Sequence, residues 1–256
     1  MRLATRVAAL LLLIWSGAAW AGEGLQAGAA RVDVTPAAEA LSPFLGILDP
    51  LYARAIVVEN AGVRAALVSV DAGALSTETW TRVRERAATE LAIAPEHLLL
   101  TATHTHSAPF VRDRAFEDAI VDSIAQATVA LRPARIALGS GVSYINVNRN
   151  LVDRASGRWW EGANYDGVSD KTVAVIAFES VSGEPIAVYY NYAVHAVVTG
   201  NLDLVSADIP GAASTYIEES LGPGVVALWS TGASGDQNPI YFQQTYDLRQ
   251  IRIDDY

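Results

Sequence analysis

Short apolar runs that end at turn-forming residues recur along the whole chain, and they limit its possible folds more than any other feature. β-Branched and other apolar residues fill each run, and Gly, Pro, Asn or Asp commonly stands near its end. Such runs are typical of strands, whereas apolar residues spaced three and four apart are typical of helices. The predicted strands cover residues 55–59, 63–70, 98–103, 134–138, 142–148, 172–178, 186–194 and 225–229. The predicted helices cover 77–91, 114–132 and 210–221, with Ser76 and Asp208 as N-caps.

The order of these elements predicts a sheet of mixed direction. The turn residues 60–62 join two strands directly, which gives an antiparallel pair, while the helix 77–91 lies between two strands as in a strand-helix-strand unit. The predicted fold class is therefore α/β: a layered domain with a mixed parallel and antiparallel sheet flanked by helices.

The N-terminus has the order of a secretory signal. Arg2 and Arg6 precede an apolar run, and the small-residue ending Ala19-Trp20-Ala21 follows it. A membrane anchor is the alternative, but the run is shorter than the roughly 20 residues that a spanning helix needs. We therefore expect a cleaved signal peptide at 1–21, a secreted or periplasmic protein without stable membrane insertion, and one domain over 22–256.

The composition argues against two classes of partner. The chain has 18 basic and 28 acidic residues, and loss of Arg2 and Arg6 with the leader would leave 16 basic against 28 acidic. Such a negatively charged surface repels nucleic acids and anionic membranes, and the sequence contains no run rich in Lys or Arg that could bind them. Because the chain has no cysteine, an exported domain must be stabilised by core burial without disulfides.

Two of the four histidines stand close together directly after a predicted strand. His104 and His106 are separated by one residue, and in an extended segment such positions face the same side, about 6.5–7 Å apart. The carboxyl end of a strand is also where open α/β sheets usually bind ligands. The pattern predicts that both imidazoles point into one cavity.

A third histidine, His195, ends another apolar run. Imidazoles meeting over a sheet would form the start of a zinc site, since catalytic zinc takes three protein ligands and keeps a position open for water. The same nitrogens would accept other divalent metals. An ordinary hydrogen-bonded histidine near a strand end is the alternative for each of them, and His97, in a turn, is expected to be solvated.

The loop 231–239 follows the predicted strand 225–229 and is rich in Gly and polar residues. It has neither the ending of a phosphate-binding loop nor the spacing of a nucleophile elbow, because Gly235 directly follows Ser234. A tight turn stopped by Pro239 is one interpretation. In the other, Asp236 orients a metal-bound histidine. Asp33 and Asp71 are further polar candidates, though alone each is more often a turn or cap residue.

Five short segments occur in a fixed order along the chain: AARVDVTP at 29–36, THTHS at 103–107, NRN at 148–150, NYAVH at 191–195 and GD at 235–236. Their order and spacing resemble the neutral/alkaline, non-lysosomal ceramidase family. The resemblance covers about residues 28–240, which is most of the chain after the signal.

The resemblance implies a function and a set of site residues. His104 and His195 match the family's zinc-binding histidines, while His106 and Arg149 match residues that hold the substrate. The family hydrolyses the amide that links a fatty acyl chain to a sphingoid base, so the implied partner is a lipid amide and the implied cofactor is Zn²⁺. Zinc and a donor such as His106 would stabilise the charge that develops on the carbonyl oxygen.

The sequence departs from the family in two respects. Asn238 stands where the family has a loop serine, and an amide cannot be that nucleophile; we take Asn238 and Asp236 as the candidate catalytic residues, with Asn238 donating to an oxyanion. Ser234 is the alternative nucleophile. The family's remaining zinc ligands, a glutamate and a tyrosine, come from a later part of the fold. The segment 241–256 does not supply them, so we expect that the chain is truncated and that these ligands lie beyond residue 256.

A non-catalytic lipid- or metal-binding module with a degenerate site is the alternative function.

Overall fold

The computed structural model of the chain describes residues 24–240 except residues 112 and 154. The described helices are α1 (Thr77–Leu91), α2 (Arg114–Val129) and α3 (Asp208–Leu221). The strands in the first half are β1 (Gln26–Asp33), β2 (Gly46–Ile47), β3 (Tyr52–Asn60), β4 (Val63–Val70), β5 (Leu98–Ala102) and β6 (Arg132–Val142). The strands in the second half are β7 (Asn146–Asp153), β8 (Arg158–Asn164), β9 (Thr172–Ser180), β10 (Pro185–Tyr192), β11 (Leu204–Val205), β12 (Val226–Thr231) and β13 (Gln237–Pro239).

Eight of these strands form one sheet of mixed direction, in the order β12-β10-β9-β6-β1-β3-β4-β5. β4 with β5 and β10 with β12 are parallel pairs, and the other neighbours are antiparallel. The predicted α/β fold with a mixed sheet is therefore confirmed. The β1–β6 junction consists of only two residue pairs, Gln26 with Pro133 and Ala27 with Arg132.

The sheet is folded about that junction, so its two halves face each other. Ile56 of β3 packs with Phe178 of β9, Ile186 of β10 and Leu228 of β12 in one buried cluster. Strands from opposite ends of the sheet order can meet only if the halves are stacked. The sequence does not predict this stacking, because a buried strand has the same apolar composition in an open sheet and in a folded one.

Helices cover the two outer faces of the folded sheet. Val83 of α1 and Ile120 of α2 are fully buried against β3 and β4, whereas Ile209 and Ile217 of α3 pack against the outer face of β10 and β12. The layers therefore run helix, sheet half, sheet half, helix. This order places the carboxyl ends of β5, β10 and β12 close together.

Gly28 in β1 shows how closely α2 approaches the sheet. A Cβ atom there would lie 2.2 Å from the Ala127 carbonyl oxygen and 2.7 Å from the Ala130 carbonyl carbon. Both are backbone atoms at the end of a helix and cannot move independently. No residue larger than glycine fits without displacing the helix.

The Gly28→Ala substitution is therefore expected to lower the free energy of unfolding by about 1–3 kcal/mol, the usual cost of overpacking a core. Urea denaturation measures the change. The matched control is Gly139→Ala, also within a strand, because a Cβ atom there has no neighbour within 4 Å among the described residues. Equal stability of the two variants would contradict the tight contact.

Most predicted elements are confirmed, but several boundaries are wrong. The predicted helix 114–132 ends at Val129, and Arg132 and Pro133 already belong to β6. The predicted strand 134–138 continues to Val142 as part of β6, because Gly139 and Gly141 continue the ladder to β9. The rest of the predicted strand 142–148 belongs to a separate strand, β7, which begins at Asn146. The Ser76 cap of α1 is confirmed, since its side chain accepts a hydrogen bond from the Thr79 N–H. Asp208, in contrast, is the first residue of α3; its carboxylate accepts from the backbone N–H groups of Ile209 and Thr199, both at 2.7 Å.

The signal peptide predicted at 1–21 and the segment 241–256 lie outside the described residues. Within the part of the chain that the structure describes, none of the helices has both the length and the apolar composition that crossing a membrane requires.

Candidate metal centre

Three imidazoles meet where the two halves of the sheet come together. One ring nitrogen from each of His104, His106 and His195 lies within 4.8 Å of the others. The ring centroid of His104 lies 4.8 Å from that of His106 and 4.9 Å from that of His195. The predicted convergence of these side chains is thus present, although His195 is far from His104 and His106 in the sequence.

His104 reaches the cluster in a different way from the one the sequence predicts. Its φ is 65°, in the left-handed region, so the His-x-His segment is not extended. Ala72 O accepts the His104 N–H at 3.0 Å, and Gly73 O lies 2.8 Å from the ring Nδ1. The turn after β4 therefore holds both the backbone and the ring of His104.

His195 is buried and held by the loop that follows β12. Its backbone N–H donates to Gln237 O at 2.9 Å, and its ring Nδ1 lies 2.5 Å from Ser234 O. Asp236, which we considered as the acceptor that orients this ring, instead contacts the side chains of Asn148 and Gln237. The carbonyl of Ser234 provides the orientation.

His106 is the exposed member of the cluster. Its Nε2 lies 3.4 Å from Nε2 of His104, and its backbone N–H donates to Ala196 O at 3.1 Å. Partial desolvation of the otherwise exposed His106 ring, and next the neighbouring His104, lowers the pKa of His106; burial is also the main cause that lowers the pKa of His195. Lowered pKa values favour neutral imidazoles, the form that binds metal.

The donor set fits a zinc ion. Backbone carbonyls accept hydrogen bonds from Nδ1–H of His104 and of His195, which leaves Nε2 of each ring as the lone-pair donor. The ligand nitrogens of His104, His106 and His195 all lie within 4.8 Å of one another, so one ion can be held between them. The same donors would suit other divalent transition metals.

Asn238 lies in β13, which pairs with β7, and is buried. Its Nδ2 donates to Glu161 Oε1 at 2.9 Å, and its Oδ1 is buried without a hydrogen-bond partner among the described residues. The Glu161 carboxylate favours this orientation of the Asn238 amide, because a flipped amide would direct its oxygen at the carboxylate. The hydrogen bond to Glu161 engages one of the two N–H donors that we assigned to an oxyanion.

Glu161 also contacts Arg149, with Oε1 3.4 Å from Nη1. Sequence reasoning missed Glu161, since it lies in β8, a strand that has little apolar periodicity and was not predicted. Arg149 is itself fixed to the loop, because its backbone N–H donates to Asp236 O at 2.8 Å. The carboxylate thus joins two of the predicted site residues, Arg149 and Asn238.

Two of the less specific polar candidates have structural roles. Asp33 accepts a hydrogen bond from the Thr35 N–H at 2.7 Å, which is the turn that the sequence suggests. Asp71 is not a turn residue: it is buried and paired with Arg54 at 2.8 Å.

The model of the family "neutral/alkaline non-lysosomal ceramidase, N-terminal" matches residues 110–243, more than half of the chain. The chain belongs to the neutral/alkaline ceramidase family. The matched region contains Arg149, His195 and Asn238, and His104 and His106 lie just before it. The expected family membership is confirmed.

Neutral ceramidases provide the comparison in sequence and in structure. Neutral ceramidase B of Dictyostelium discoideum is 29% identical over 84% of this chain and 35% of its own length. The neutral ceramidase of Pseudomonas aeruginosa is 28% identical over 73% of this chain and 32% of its own. The crystal structure of the Pseudomonas aeruginosa enzyme superposes with a TM-score of 0.71 and 25% identity, covering 84% of this chain and 39% of that one. The chain therefore spans about a third of the length of these ceramidases.

Proposed function

We propose that this ceramidase-family chain forms the metal-binding part of an exported, zinc-dependent hydrolase of linear lipid amides, with a ceramide-like compound as substrate. The observation that carries the proposal is the meeting of three imidazoles within 4.8 Å in a family of ceramidases. Export rests on the signal-like order of residues 1–21.

His104 and His195 are the proposed zinc ligands, and His106 the proposed substrate contact. Backbone carbonyls orient the rings of His104 and His195, as is usual for metal-bound histidines. Among the described residues, His106 has no comparable backbone acceptor and is exposed, which suits a group that meets a substrate. Zinc held there would act as a Lewis acid towards the scissile carbonyl.

The surrounding residues would hold the substrate. Arg149 is the proposed donor to its polar part, and His106 the proposed donor to the carbonyl oxygen as charge develops there. Asn238 cannot form the acyl-enzyme that a serine would form, so in this proposal water adds to the carbonyl carbon and the C–N bond breaks. Asp236 positions the loop through its contacts with Asn148 and Gln237.

The proposal is tested by hydrolysis of a long-chain N-acyl amine, such as a ceramide, measured as fatty acid released. We expect release by the zinc-loaded, full-length protein, its loss after treatment with a chelator, and recovery when Zn²⁺ is added, because a catalytic zinc site needs its ion for turnover. Activity that survives complete removal of metal would contradict the proposal.

A non-catalytic binding module is the second candidate, and the Asn238 contact favours it. An amide at the position of the family serine, hydrogen-bonded to Glu161, would leave a pocket without a nucleophilic side chain. Direct binding separates the two functions. A zinc-loaded, full-length protein that binds the N-acyl amine in calorimetry but releases no fatty acid would be a binding module.

A further inference from the structure

The separation of His104 and His195 is not set by a shared ladder of strands. His104 follows β5 and His195 follows β10, and these strands belong to opposite halves of the folded sheet. Their distance depends on direct links between the two halves near the histidines. The structure provides such links on both sides of the pair.

One link lies just before the histidines and the other just after them. Before them, the hydroxyl of Thr231 at the end of β12 donates to the carbonyl oxygen of Thr103 at 3.0 Å. After them, Thr105 and Ala196 form an isolated parallel bridge. The first link is made by a side chain and can be removed by substitution, whereas the second is made by backbone.

The hydroxyl of Thr231 has little choice of direction. Its oxygen accepts a hydrogen bond from the Trp229 indole N–H at 2.9 Å, and an indole nitrogen can only donate. The hydroxyl proton is thus available for Thr103, the residue that precedes His104. Thr231 also pairs with Tyr192 in the β10–β12 ladder, three residues before His195.

The loop after Thr231 lies tightly against the segment that leads to His195. The Gly232 N–H donates to Tyr192 O at 2.9 Å, and a Cβ atom on Gly232 would lie 3.1 Å from the backbone nitrogen of Ala193. Ser234 of the same loop contacts the His195 ring. A shift of Thr231 would therefore move His195 together with the loop.

From this arrangement we infer that Thr231 is a positioning residue for the metal site: its hydroxyl fixes the half that holds His195 against the half that holds His104. The inference rests on the proposed function, because it requires a metal at the histidines. Ligands held at the right separation before binding bind an ion more tightly, and loss of a supporting hydrogen bond typically weakens metal affinity by about 10–100-fold.

The test is Co²⁺ binding by the whole chain, followed by the visible absorption of the bound ion, which depends on its coordination geometry. Thr231→Val keeps the shape and removes the hydroxyl, so we expect affinity to fall about tenfold or more and the Co²⁺ spectrum to change. Thr231→Ser restores the hydroxyl and should restore both. The matched control is Thr101→Val on β5, whose hydroxyl bonds to Val68 O within one sheet half.

Each outcome decides between the inference and the proposed function. Native affinity and spectrum in Thr231→Val would overturn the inference and leave the metal site intact, whereas absence of Co²⁺ binding by the unsubstituted chain would overturn both. A weakened Thr231→Val that Thr231→Ser does not rescue would also overturn the inference. If circular dichroism finds Thr231→Val unfolded, the Trp229→Phe, Thr231→Val double variant replaces it, because it leaves no unpaired indole N–H.

Discussion

Replacing both His104 and His195 with alanine is expected to abolish stoichiometric zinc binding. Each ring is oriented by a backbone carbonyl, and together they account for two of the three imidazoles in the cluster. Loss of a residue that only supports a ligand costs about 10–100-fold in metal affinity, so loss of two ligands should cost well over a hundredfold. Zinc content after dialysis against a metal-buffered solution, measured by mass spectrometry, gives the result directly.

The matched control is His97→Ala. His97 lies in a 3-10 turn before β5 and is not a member of the cluster, so its removal should leave the zinc content unchanged. Circular dichroism of the double variant must match that of the original chain for the comparison to count. Unchanged zinc content in a folded double variant would remove the metal site, and with it the proposed hydrolase.

Replacing Arg54 with methionine is expected to lower the free energy of unfolding by about 3–5 kcal/mol, because it leaves buried charge unpaired. Arg54 is 3% exposed and pairs with Asp71, 1% exposed, and with Glu218, 6% exposed. It lies in β3 and Glu218 lies in α3, so the pair also joins the two halves of the fold. Urea denaturation at neutral pH measures the loss.

The loss in Arg54→Met should depend on pH. Burial raises the pKa of Asp71, and Arg54 opposes that rise, so the pKa of this carboxyl will increase further without the guanidinium. A carboxyl whose pKa is raised by folding favours the folded state below its unfolded pKa, and that contribution is lost as pH rises through the folded pKa. The deficit of the variant should therefore be smaller at about pH 5 than at about pH 8.

Arg86→Met is the matched control, since Arg86 pairs with Glu90 and Asp118 at the surface. Exposed pairs contribute about 0–1 kcal/mol, so this variant should stay close to the original stability at every pH. A similar loss in the two variants would mean that burial of the Arg54 network has no special effect.

The sequence predicted local structure well wherever a single segment determines it. Ser76 caps α1 because its side chain reaches an N–H three residues on, and the apolar stripe that includes Ile120 and Ile124 forms the buried face of α2. The grouping of His104, His106 and His195 was also predicted, because these residues stand at or just after the ends of predicted strands, where open α/β sheets bind ligands.

Features that depend on distant segments were not predictable. The left-handed backbone of His104 is held by the turn after β4, and the orientation of His195 depends on the carbonyl of Ser234. A backbone carbonyl has no signature in the sequence, so the aspartate in the same loop, Asp236, was the natural candidate. Glu161 was missed for a similar reason: only the pairing of β8 with β7 brings it to Arg149.

The narrow β1–β6 junction, two residue pairs wide, has a consequence for how the proposed metal site is assembled. Each half of the sheet contributes one end of the histidine cluster, so neither half alone contains a competent site. Binding of one ion by His104 and His195 together therefore requires docked halves, which brings together segments far apart in the sequence. A bound ion would then report that the domain has closed correctly.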